Sequence, residues 1–95
     1  MQTVYIAGKI TGLRDYEDKF EDAVRKLWEI GYTRILNPCC LPPNLEYEQY
    51  MTICFTMIDV ADEVWFLDNW QESEGARREH DYALEKNKVI RYFEG

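Results

Sequence analysis

Ninety-five residues make a single domain, and a formal net charge of −7, from 18 acidic and 11 basic side chains, argues against a nucleic-acid polymer as partner. A chain that is 46% hydrophobic and 15% aromatic is too rich in core formers to be disordered, and no apolar run approaches the ~20 residues a membrane span needs. The three cysteines, Cys39, Cys40 and Cys54, form no C-x-x-C and have only His80 to help them, which speaks against a structural metal site; no cofactor is expected either. Their odd number and the lack of an export signal predict reduced thiols and a cytoplasmic location.

Val4-Tyr5-Ile6-Ala7 is a short run of β-formers stopped by Gly8, which reads as a buried strand. A loop, Gly8-Lys9-Ile10-Thr11-Gly12, follows. Tyr16, Phe20, Ala23, Leu27 and Ile30 then recur at helical spacing, with Asp15 as N-cap and Gly31 as terminator. Thr33-Arg34-Ile35-Leu36 reads as a second strand, halted by Asn37-Pro38, and residues 39–45, with Pro42-Pro43, as irregular chain. Tyr47, Tyr50, Met51, Cys54, Phe55 and Ile58 mark a second amphipathic helix. Glu63-Val64-Trp65-Phe66-Leu67 is the third strand, residues 69–74 a polar loop, residues 75–86 the third helix, and Val89-Ile90-Arg91-Tyr92-Phe93 the fourth strand.

The order β-α-β-α-β-α-β requires crossover connections. It therefore predicts a flavodoxin- or Rossmann-like three-layer sandwich, with a four-stranded parallel sheet covered on both faces. Ligands in such sheets sit beyond the carboxyl ends of the strands, where strand order reverses. The first loop, with Gly8, Lys9, Thr11 and Gly12, can bring backbone N–H groups close to an anion, although it is neither a P-loop nor G-x-G-x-x-G. Ser73 stands near the start of the third helix, where it can cap the helix, contact a phosphate, or both. Glu79 follows Gly75 by about one turn, and a glycine at that offset leaves room above the carboxylate; a solvated glutamate on a charged helix face is the plainer alternative. Tyr5 is either core or a hydroxyl aimed into the crevice. Trp70, in a loop, is placed to stack on a base or to cover an oligomer contact. His80 has no partner that would make a triad.

Taken together, Tyr5-Ile6-Ala7-Gly8, Gly12, Gly31-Tyr32, Asn37-Pro38, Asp62 and the run Trp70-x-x-Ser73-x-Gly75-Ala76-x-x-Glu79-x-x-x-Ala83 resemble the nucleoside 2-deoxyribosyltransferase-like superfamily, in particular its short bacterial and phage members, which are related to deoxynucleoside 5′-monophosphate N-glycosidases. The resemblance runs through nearly the whole chain. It implies that Glu79 attacks the anomeric carbon of a nucleoside and expels the base, that Tyr5 orients the carboxylate, and that Asp62 or Asp68 protonates the leaving base. It further implies that Gly8, Lys9, Thr11, Gly12, Asn37, Trp70, Ser73 and Gly75 bind the substrate, with Ser73, Lys9 and Thr11 favouring a 5′-phosphate. Where transferases carry another acid on the second helix, this chain has Cys54, with Asp59 one turn later.

The expected function is therefore cleavage or transfer at the sugar–base bond of a (deoxy)nucleotide. A non-catalytic nucleotide-binding protein, a sensor or sponge, is the alternative, and a plain interaction domain is the third reading. Seven tyrosines and three tryptophans predict a homo-oligomer.

Overall fold

Side-chain alternation along the central strand sets the layers of the fold. In β1 (Thr3–Ala7), Val4 and Ile6 face one side of the sheet and pack with Phe20, Ala23 and Leu27 of α1 (Tyr16–Ile30). Tyr5 and Ala7 face the other side and pack with Cys54 and Ile58 of α2 (Tyr47–Val60) and Ala83 of α3 (Glu74–Glu85). The computed structural model, which describes residues 1–94, thus has one helix on one face and two on the other.

The remaining strands are β2 (Arg34–Leu36), β3 (Glu63–Phe66) and β4 (Val89–Tyr92). The sheet is all parallel in the order β2-β1-β3-β4. Tyr5 stands in register with Leu36 on one side and Val64 on the other. The chain leaves β1 toward β2 and returns to lay β3 on the opposite flank, so strand order reverses between β1 and β3. Their diverging carboxyl-end connections open a crevice there.

The predicted α/β sandwich is the observed one, with local corrections. Asp15 lies at the start of α1 but in the left-handed conformation (φ 59°), and its side chain makes no capping bond; the first turn instead carries Glu17 and Asp18. Gly31 does end α1, at φ 117°, with its N–H and that of Tyr32 both donating to the Leu27 carbonyl. The irregular stretch after β2 begins with a 3₁₀ turn, Pro38–Cys40, and the loop after β3 holds another, Trp70–Glu72. The second helix is opened by a capping box between Glu46 and Gln49.

One carboxylate is buried for structural reasons on the α1 side of the sheet. Glu63 accepts from the Tyr32 hydroxyl at 3.0 Å and from Trp65 Nε1 at 2.9 Å, so its burial is matched by hydrogen bonds. No helix among the described residues is long and apolar enough to cross a membrane.

Candidate active site

The crevice between β1 and β3 continues into a cavity of about 300 Å³. Tyr5 and Glu79 form its floor. Gly8 and Thr11 from the first loop line one side, Tyr47 and Met51 of α2 another, and Ser73 and Gly75 the start of α3. Glu79 reaches it because it lies just over one turn into α3, on the stripe that also buries Ala76 and Ala83. Ser73 caps that helix, accepting from the Ala76 N–H at 3.1 Å, which fixes the start of α3 and with it the direction of Glu79.

Glu79 is only 4% exposed, and the Tyr5 hydroxyl donates to its Oε2. Its other neighbours are the Cys54 thiol, which is fully buried, and the hydroxyl of Tyr50. Burial pushes the Glu79 carboxyl up to about 8, against the opposing pull of the Tyr5 hydroxyl, the Cys54 thiol and the Arg78 guanidinium. The same burial pushes the Cys54 thiol up to about 12 and raises both tyrosine hydroxyls, with the Glu79 charge adding to each. Arg78 itself is turned away: it makes two hydrogen bonds to Glu48, at 3.0 and 3.2 Å, and lies over the Tyr47 ring. Burial thus favours the protonated form of the carboxyl at the cavity floor, among O–H and S–H groups. Among the described residues, the Tyr50 hydroxyl is the one buried side-chain polar atom without a hydrogen-bond partner.

Of the residues singled out in the sequence, Tyr5, Gly8, Thr11, Ser73, Gly75 and Glu79 meet in this cavity. Gly8 owes its lack of a side chain to packing: an added Cβ would stand 2.5 Å from Leu67 Cδ1. Lys9 lies beside the cavity rather than in its wall. Its N–H donates to Asn69 Oδ1 at 3.1 Å, and its Nζ faces Glu72 at 3.8 Å. Gly12 is an exposed turn residue at φ 77°, and Asn37 uses its side chain to accept from the Cys39 N–H at 3.0 Å.

Three expectations are corrected by position. Asp62 precedes β3, at the amino end of the sheet, where its Oδ2 accepts from the Thr3 N–H at 2.9 Å, so it is at the wrong end to serve a ligand beside Glu79. Asp68 faces the α1 side, paired with Lys19 at 2.5 Å in a separate depression. Trp70 is not presented to the crevice; its ring stacks on His80, with centroids 4.2 Å apart, and packs on Phe66. The Asp59 carboxylate accepts from Tyr82 and is likewise remote from the floor.

Sequence reasoning missed the contribution of α2. Tyr47, Tyr50 and Met51 read as core formers of an amphipathic helix, yet they wall the cavity. It also missed Asn69, nearly buried, which ties the first loop to the loop after β3. The one local sign for Asn69 was an amide just past the carboxyl end of a buried strand; its partner, the Lys9 N–H, is 60 residues away in sequence.

The match of a family model over residues 2–92, that of the domain of unknown function DUF4406, shows that the chain belongs to this family. No curated protein matches the chain in sequence.

Proposed function

We propose that this DUF4406 protein is an N-glycosidase or deoxyribosyltransferase-like enzyme that cleaves the sugar–base bond of a (deoxy)nucleoside or its 5′-monophosphate, with Glu79 as nucleophile. The observation that carries the reading is a buried carboxyl, held by the Tyr5 hydroxyl, at the floor of a cavity at the strand-order reversal. Such a pair suits attack on an electron-poor anomeric carbon, because the hydroxyl orients one carboxylate oxygen and leaves the other free. The sequence resemblance to nucleoside 2-deoxyribosyltransferase-like proteins supports the same roles for Tyr5, Ser73 and Glu79.

The chemistry balances without a second carboxylic acid. Glu79 releases its proton to solvent, and its free oxygen forms a bond to the anomeric carbon. The carbon–nitrogen bond breaks with its electron pair going to the base, which takes a proton from water. In hydrolysis, water then adds at the anomeric carbon, loses a proton to solvent, and frees the carboxylate; in transfer, a second base takes the place of that water. The rim bears Glu72 and Glu74 and no Lys, Arg or His in the cavity wall, so an uncharged 5′-hydroxyl suits it at least as well as a phosphate.

The test is incubation with deoxynucleosides and their 5′-monophosphates, following free base by chromatography. Free base with wild type and none with Glu79→Gln supports the reading, and equal release by the two proteins overturns it. A binding protein without turnover is the second reading, favoured by the positions of Asp62 and Asp68 away from the cavity. Under it, a nucleoside or nucleotide raises the melting temperature and is recovered intact.

A further inference from the structure

A second cavity, of about 380 Å³, adjoins the first. The two share Ile10, Thr11, Pro38, Tyr47 and Tyr50 as common walls, so a ligand seated over Glu79 has a direct continuation into it. The new walls come from the loop after β2 and the start of α1: Leu41, Pro42, Pro43 and Leu45, with Tyr16 and Cys39.

The chemistry of the two cavities differs. The first offers a carboxyl, a serine hydroxyl and the start of a helix, which suit a hydroxylated sugar. The second has no acidic, basic or amide side chain in its lining, and its polar side-chain groups are the Thr11 and tyrosine hydroxyls and the Cys39 thiol. Three of its wall residues, Pro38, Pro42 and Pro43, have no backbone N–H to donate. An unmodified nucleobase seated there meets no carboxylate, amide or cationic side chain to read its edge, only hydroxyls and a thiol, so its polar groups gain little on leaving water. An apolar ring system carries no such penalty and gains from burial against Leu and Pro side chains and tyrosine faces.

We infer that the second cavity takes the aglycone and selects an N-glycoside whose base bears a bulky apolar or aromatic substituent over one with a plain base. This rests on the glycosidic reading of Glu79, and it adds a substrate class to that reading. Leu45 is the specificity-determining side chain: it lines this cavity from the loop after β2 and belongs to neither core cluster, whereas Leu41 also packs against the core around Tyr5 and Cys54.

The experiment compares 2′-deoxyadenosine with its N6-benzyl derivative, measuring free base by chromatography and binding by calorimetry, on wild type and Leu45→Lys. The expected result is a preference of at least tenfold in kcat/KM for the benzyl compound, falling at least tenfold in Leu45→Lys. Equal or better turnover of the plain nucleoside overturns the inference and leaves the glycosidic reading intact. Tighter binding of the benzyl compound without release of base, lost in Leu45→Lys, supports the aglycone cavity and overturns the glycosidic reading. Neither binding nor turnover of either compound overturns both. Leu45→Gln, a smaller change at the same position outside the core clusters, gives the readout should Leu45→Lys fail to fold.

Discussion

Tyr5 and Glu79, 74 residues apart, are joined by a hydrogen bond from the tyrosine hydroxyl to the carboxyl Oε2, linking the central strand to the third helix in the interior of the domain. Among the described residues no cationic side chain lines the cavity above the pair, and the neighbouring Arg78 guanidinium is engaged by Glu48. The pair is consequently held by packing and one strong hydrogen bond, and its charge state is set by burial. The predictions below follow from that arrangement.

Glu79→Gln stabilises the protein above mildly acidic pH. With the carboxyl raised from 4.5 to about 8, the folded state keeps a proton that the unfolded chain loses. Stability is therefore greatest below pH 4.5, falls as pH rises toward 8, and then levels. The accumulated cost is on the order of 5 kcal/mol at 1.36 kcal/mol per pH unit. Glutamine has the same shape and no such ionisation. Thermal melts at pH 8 should show the variant ~10 °C or more above wild type, with the two converging near pH 4. A constant gap across that range would contradict the assignment.

Turnover depends on the ionised carboxylate, so kcat/KM rises about tenfold per pH unit below about 8 and flattens above it. A pH–rate profile on the best substrate checks this. An acidic optimum would reassign Glu79 from nucleophile to proton donor.

Tyr5→Phe removes the donor and leaves the carboxyl buried with less support. The hydroxyl now lowers the Glu79 pKa, so its loss moves the midpoint of the pH–rate profile upward. Below the midpoint kcat/KM drops by roughly 10–100-fold, the range of a single charge-assisted hydrogen bond of about 1.5–3 kcal/mol. An unmoved midpoint would show that the bond does not serve the carboxylate.

Gly8→Ala tests the packing of the first loop. Its Cβ would meet Leu67 Cδ1 at 2.5 Å, and overpacking of this kind costs about 1–3 kcal/mol. Denaturant melts of Gly8→Ala, Leu67→Ala and the double variant should show positive coupling, because the smaller side chain makes room for the methyl group. Additive losses would place the strain elsewhere.

The layers were legible because each face of each strand has a distinct partner. Val4 and Ile6 alternate with Tyr5 and Ala7, and the helices that cover them carry their apolar residues at 3.6-residue spacing. Glu79 and Tyr5 were legible as candidates, but only the folded chain shows that the tyrosine hydroxyl bonds the carboxyl. Asp62 and Asp68 bracket β3; the rule that ligands sit at the carboxyl ends already disfavoured Asp62, whereas only the folded chain shows Asp68 turned aside to Lys19. Trp70 failed for a related reason: a loop tryptophan and a helical histidine ten positions on carry no local sign that their rings stack. The wall from α2 was hidden by its own amphipathicity, since residues that line a cavity and residues that fill a core have the same periodicity.

That no Lys, Arg or His among the described residues lines the cavity over Glu79 has a consequence for what the cavity prefers to hold. A carboxyl kept protonated by its surroundings is a latent anion, and the arrival of positive charge above it releases the proton and creates an ion pair in the same event. Ligands with a fixed or developing positive charge at that point thus gain an attraction that neutral look-alikes do not. Below about pH 8 each such binding event discharges a proton to solvent, so the affinity for a cation is itself tuned by acidity. A cation seated above Glu79 would replace its proton, and calorimetry in buffers of different ionisation enthalpy would count that exchange directly.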